Sequence, residues 1–317
     1  MDFIKEGYKG RIEWYWYLLT LFLVFVFWQL IGIMPLLITA YLKVGNMKDF
    51  MNAANTMFTS LDINSNLYFF LILFTLISGL FGLLIGVKFL HKKLIKNIIT
   101  ARQKIDWKRV IFAFSFWFVI STVFIFIEIM VGNEGLIWNF KPIPFIILVI
   151  ISFIFVPLQT SFEELLFRGY LMQSLGILVK NRWMPLLLTS IIFGLLHGAN
   201  PEVAKVGWGI MVFYIGTGLL FGVSTLMDEG TELALGMHAA NNIVAAIFVT
   251  TDWAVFQTDA LYIDTSEPSL GWSTFMPVFV LYPIVLFIFS KKYNWKNWKE
   301  KLFGSIEKPT LKTEIID

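Results

Sequence analysis

Three short groups of polar residues stand in otherwise apolar stretches, and each carries side chains able to move protons or donate hydrogen bonds. The first is Glu163-Glu164-Leu165-Leu166-Phe167-Arg168, the second Phe193-Gly194-Leu195-Leu196-His197, and the third His238-Ala239-Ala240-Asn241-Asn242. A carboxylate and an imidazole, here Glu163 with His197, can together deprotonate a water molecule. An imidazole N–H and an amide N–H, here His238 with Asn242, can hold the oxyanion that forms when that water attacks a carbonyl. Those are the parts needed to activate water and hold an oxyanion. Glu163, His197 and His238 alternatively make an N2O ligand set with an open position, of the kind zinc takes. The residues alone leave both chemistries open.

Helical spacing divides the roles. Glu164 and Arg168 are i and i+4, share a face and can form an ion pair. Glu163 lies about 100° round the helix, so Arg168 is less suited to neutralise it. Glu164–Arg168 is therefore read as the supporting pair and Glu163 as the reactive carboxylate. His238 and Asn242 are also i and i+4, whereas Asn241 points elsewhere and is the weaker candidate. His197 precedes Gly198 and Asn200-Pro201 and sits at a helix terminus, with Phe193 one turn earlier packing against it. Each group alone has a structural alternative: glutamates solvating a helix end, or a His–Asn pair joining two helices as polar residues do in membranes. Three groups together favour the catalytic reading. The remaining histidine, His91, abuts Lys92 and Lys93 and reads as an ordinary membrane-edge residue.

The elements that must position these groups are membrane helices. Of 317 residues 57% are hydrophobic and 15% charged, against roughly a quarter charged in a soluble domain. Eight apolar segments stand out, at 14–42, 67–90, 110–132, 143–167, 183–198, 206–227, 232–250 and 273–290. Backbone groups cannot stay unpaired in lipid, so the segments are read as helices, and tryptophans such as Trp14, Trp107, Trp183 and Trp272 mark their ends. The expected fold is all-α, a polytopic membrane protein with a bundle of about eight transmembrane helices enclosing a polar intramembrane site. An ionisable group there is costly enough to be a functional candidate by default.

The chain reads as a single integral membrane domain, 1–317, with a core segment 160–245 carrying the motifs and a basic cytoplasmic tail, 291–317. The first apolar run is too long for a signal peptide and is expected to be an uncleaved span. The absence of cysteine excludes disulfides, thiol nucleophiles and Cys-ligated metals. The stretch 91–109 holds seven Lys and Arg against one acid, the tail after 290 holds seven lysines, and the loop 251–268 holds four acids and no base. With an even number of spans this places both termini in the cytoplasm, and a bacterial plasma membrane is the expected location. The basic stretches face membrane lipids rather than nucleic acid. Gly216, Gly218 and Gly222 offer a small face for close helix packing.

At these residues the chain resembles the CAAX protease and bacteriocin-processing enzyme family, also called CPBP or ABI. Its patterns Glu-Glu-x-x-x-Arg, Phe-x-x-x-His and His-x-x-x-Asn appear here in order as Glu163-Glu164 to Arg168, Phe193 to His197 and His238 to Asn242. The resemblance covers residues 160–245 and implies an eight-helix core and an intramembrane endopeptidase, of metalloprotease or glutamate type, acting on a peptide or protein that can carry a lipid. It implies Glu163 and His197 as the water-activating pair and His238 and Asn242 as oxyanion stabilisers. Two rival readings remain: a catalytically silent scaffold or immunity factor, and a proton- or cation-coupled transporter. One geometric tension stands out. If the fifth helix starts at the inner face near Trp183, His197 lies about 21 Å up it, farther than Glu163 and His238. Either 169–182 re-enters the membrane or a helix is strongly tilted.

Overall fold

The computed structural model describes residues 1–131, 135–251, 253, 256–267 and 269–309. All eight apolar segments are helical: α1 (Trp14–Val44), α2 (Ser65–Leu90), α3 (Trp107–Val131), α4 (Pro142–Val179), α5 (Trp183–Ala199), α6 (Trp208–Asp228), α7 (Glu232–Phe248) and α8 (Thr274–Tyr293). Among the described residues six are long and apolar enough to cross a membrane, while α5 and α7 are shorter. The chain is a polytopic helical membrane protein.

The largest departure from expectation is α4, which runs on past residue 167 to Val179. Its 38 residues span about 57 Å at 1.5 Å per residue, against roughly 30 Å of hydrocarbon. The charged group therefore lies inside a helix that continues unbroken through 169–179. The cause is local: Glu164 and Arg168 pair within the helix, and the mostly apolar stretch from Leu171 to Val179, interrupted by Gln173 and Ser174, carries it on. The helix stops where Lys180 turns left-handed (φ 56°). Between Leu165 and Leu171 it widens to π geometry, a distortion common at functional sites.

One end of the bundle gathers the N-terminal turn Ile4–Tyr8, the stretch 91–106, the α4–α5 and α6–α7 turns, and residues 294–306. The Phe3 amide donates to Glu229 (2.5 Å), Thr231 to the Ile99 carbonyl (2.8 Å) and Ile306 to the Lys180 carbonyl (2.9 Å). Asp228 accepts from Arg102 (2.9 Å), Arg109 and Trp295 (3.0 Å), while Arg102 also reaches Glu232 (3.2 Å). Part of the basic stretch is thus neutralised by buried acids rather than facing lipid. His91, expected to be an ordinary edge residue, is buried here, with its ring nitrogens on the Arg11 carbonyl (2.7 Å) and the Tyr170 hydroxyl (2.8 Å). Residues 310–317 of the expected tail, and Asp252 of the acidic loop, lie outside the described residues.

The opposite end carries a small sheet absent from the all-helical expectation. Strand β1 (Leu136–Trp138) pairs antiparallel with β3 (Tyr262–Asp264), Leu136 opposite Asp264, and β2 (Val249–Thr250) pairs parallel with β3. These are short aromatic and β-branched stretches outside the apolar helices, suited to a pleated strand.

Candidate active site

Three helices deliver the motif residues: α4 brings Glu163, Glu164 and Arg168, α5 brings Phe193 and His197, and α7 brings His238 and Asn242. Close backbone approaches set their spacing. In α7 Gly236 lies against the Val110 carbonyl of α3. In α6 Gly218 lies against Ser190 of α5, where an added Cβ would come within 3.0 Å of the Ser190 Cα. The small face read from the sequence also touches the site, since the Gly218 carbonyl accepts from Arg168 Nη2 at 3.1 Å.

Glu164 and Arg168 are fully buried, and Arg168 Nη1 donates to Glu164 Oε1 at 3.1 Å. The same carboxylate oxygen lies 2.7 Å from His238 Nδ1. The guanidinium also sits 4.3 Å over the Phe193 ring, a cation–π contact strengthened by the absence of water. Phe193 presents an edge to His238 (centroids 6.0 Å) and tilts against His197 (4.8 Å). Phe221 stacks on His238 at 5.1 Å.

Glu163 points differently. Its Oε2 lies 3.3 Å from His238 Nε2, and its side chain keeps 15% exposure where Glu164 keeps none. His238 therefore faces a carboxylate on each ring nitrogen. Of the two, the Glu164 contact is a hydrogen bond and the Glu163 contact an ion-pair distance.

His197 does not bond to Glu163. Its Nδ1 lies 2.8 Å from the Phe193 carbonyl, and Tyr214 stacks on its ring at 4.5 Å and 22°. A carbonyl only accepts, so Nδ1 carries a proton, and in the neutral ring Nε2 is the acceptor. Asn242 is not bonded to His238 either: its Nδ2 donates to Gln159 Oε1 (3.2 Å) and its Oδ1 accepts from Asn241 (3.1 Å). The structure thus joins Glu163, Glu164, Arg168, Phe193 and His238 directly, with His197 and Asn242 at the margins. Sequence reasoning missed Gln159, Tyr214 and Phe221. Gln159 had a usable signal, a polar residue one turn before Glu163 on the same helix face; the two aromatics had none.

The zinc alternative meets a poor fit. Among the described residues no three His, Asp or Glu side chains are grouped to hold a metal ion. Both nitrogens of His238 face carboxylates, and His197 Nδ1 is held by backbone, so Glu163, His197 and His238 do not offer three donors to one point. No step is derived through a metal.

Comparison with known proteins agrees with the motifs. The family described as Type II CAAX prenyl endopeptidase Rce1-like matches residues 142–244, which takes in all of α5 and α6 and every motif residue. A Bacillus subtilis protein, the uncharacterized YyaK, is 32% identical over 203 residues, covering 63% of this chain and 67% of that protein. No solved structure matches the chain. On these similarities the chain belongs to the Rce1-like family of CAAX prenyl endopeptidases.

Proposed function

We propose that this chain is an intramembrane endopeptidase that hydrolyses a peptide bond near the C-terminus, or in the membrane-proximal part, of a peptide or protein substrate. The observation that carries the reading is the division of labour between adjacent glutamates. Arg168 is committed to Glu164, leaving Glu163 partly exposed beside His238. Glu163 takes a proton from water, with His197 as the second acceptor, and the proton passes to the leaving amine. Asn242 supplies an N–H group to the tetrahedral oxyanion, and His238 turns its Nε2–H from Glu163 to the same oxygen once Glu163 has taken the proton, in surroundings where such bonds are strong. Glu164, Arg168 and Phe193 hold His238 and His197 in place.

The substrate is read as a segment that can carry a lipid, since the family is described as one of CAAX prenyl endopeptidases. Both termini are assigned to the cytoplasm of a bacterial plasma membrane, supported by the basic stretch and the two terminal segments meeting at one end of the bundle. The test is comparative peptidomics of cells carrying the wild-type chain or Glu163→Ala. Peptides that disappear with the variant support catalysis. Identical peptidomes, with a phenotype intact, would favour a scaffold.

A further inference from the structure

A file of four side chains crosses the bundle beside the motif residues. The Trp117 indole Nε1 of α3 donates to Asn241 Oδ1 (3.3 Å), Asn241 Nδ2 donates to Asn242 Oδ1 (3.1 Å), and Asn242 Nδ2 donates to Gln159 Oε1 (3.2 Å). Trp117 is 4% exposed and Gln159 2%, so both ends are anchored in the interior. Trp117 and Gln159 fall outside the motifs, and Asn241 was set aside as pointing elsewhere.

The direction of this file is fixed by chemistry. An amide can turn over and exchange its oxygen for its nitrogen, but an indole N–H only donates. Asn241 must therefore offer its oxygen to Trp117 and its nitrogen to Asn242. Asn242 must in turn offer its nitrogen to Gln159, whose oxygen is then occupied. What remains at the far end is N–H: the second hydrogen of Asn242 Nδ2 and both of Gln159 Nε2. No described residue accepts from Gln159 Nε2, and it is not among the buried atoms sealed off without a partner. Gln159 sits one turn before Glu163 on α4, so its amide is on the side of the reactive carboxylate.

We propose that Trp117 and Asn241 are positioning residues that fix the polarity of the site, obliging Asn242 and Gln159 to present N–H rather than C=O to the substrate carbonyl, with Gln159 a second hydrogen-bond donor to the substrate. The inference rests on the hydrolytic reading above. Its logic is that a turned amide would set an oxygen lone pair against a developing oxyanion, where a donor is required.

The test has two arms on the full chain in detergent micelles. In the first, Trp indoles are labelled with 15N and Trp117→Phe identifies the Trp117 resonance. Asn241→Leu is expected to move that resonance upfield as its acceptor is lost, and an unmoved resonance overturns the relay. In the second, cleavage of a quenched fluorescent peptide ending in a prenylated CAAX sequence is followed. Trp117→Phe, Asn241→Asp and Gln159→Leu are each expected to lower kcat by about tenfold or more with KM nearly unchanged, as loss of an oxyanion donor does. In an Asn242→Ala background Trp117→Phe should cost nothing further in kcat. An equal loss in both backgrounds would mean that Trp117 serves only packing. Equal rates for wild type and Glu163→Ala would overturn the hydrolytic reading itself, and the functional half of this proposal with it, whatever the resonance does.

Discussion

His238 Nε2 lies 3.3 Å from Glu163 Oε2, so the last motif of the chain closes on the first. Replacing Glu163 with Gln keeps the shape and removes the carboxylate. Cleavage is expected to fall about 10²–10⁴-fold, the usual contribution of a general base, with the circular dichroism spectrum and thermal midpoint in detergent unchanged. Residual cleavage near the wild-type rate would assign the base elsewhere.

Glu164→Gln should behave differently. It leaves the fully buried Arg168 charge without its carboxylate partner, facing the Gly218 carbonyl and aromatic rings. Breaking a buried pair by removing one partner costs about 3–5 kcal/mol, so this variant is expected to lose stability as well as activity. Thermal unfolding in detergent separates the two glutamates.

Gly218→Ala tests the close approach of α5 and α6. The new methyl would come within 3.0 Å of the Ser190 Cα and carbonyl, and overpacking of this sort costs about 1–3 kcal/mol. The Arg168 contact to the Gly218 carbonyl should lengthen with it. A lower thermal midpoint and weaker cleavage are expected together; a wild-type midpoint would show that the helices part without strain.

Lys93 lies just outside the second span, where it donates to Gln173 Oε1 at 2.7 Å. Burial brings its ammonium down from 10.5 to about 7, with Glu6 opposing. A base whose folded value is lowered binds fewer protons folded than unfolded between those limits. Stability should therefore rise with pH from about 7 towards 10.5 and flatten below. Lys93→Met is expected to remove that component from the pH dependence of the midpoint.

Chelation bears on the zinc alternative. With no three donors converging, cleavage is expected to survive prolonged treatment with a strong chelator, and purified protein to carry less than one equivalent of zinc. Loss of activity restored by added zinc would require the side chains to regroup around a metal.

Much of this arrangement was legible beforehand, because helical periodicity is a strong constraint in lipid. The offset between Glu163 and Glu164 follows from 100° per residue alone, and Arg168 bonds to Glu164 as that offset demands. The extent of α4 was not legible, since two acids and a guanidinium read as a helix end until their partners on α6 and α7 are known. Nor was the placing of His197, whose ring is set by Tyr214 on a different helix. Contacts made across helices leave no spacing in the sequence, so Trp117 looked like an ordinary span residue.

The α6–α7 turn and the last residue of α6 are tied to segments far apart in the chain, Glu229 to Phe3 on one side, and Asp228 to Trp295 and Glu229 to Lys301 on the other. Residues 295–301 are synthesised after every span that bears a motif residue, so that turn stays partly unbonded while those spans are already inserted. The base of the helix bearing His238 is therefore secured only once 295–301 have emerged, and a nascent chain carries its carboxylates in the bilayer before the ring meant to meet them has a fixed footing.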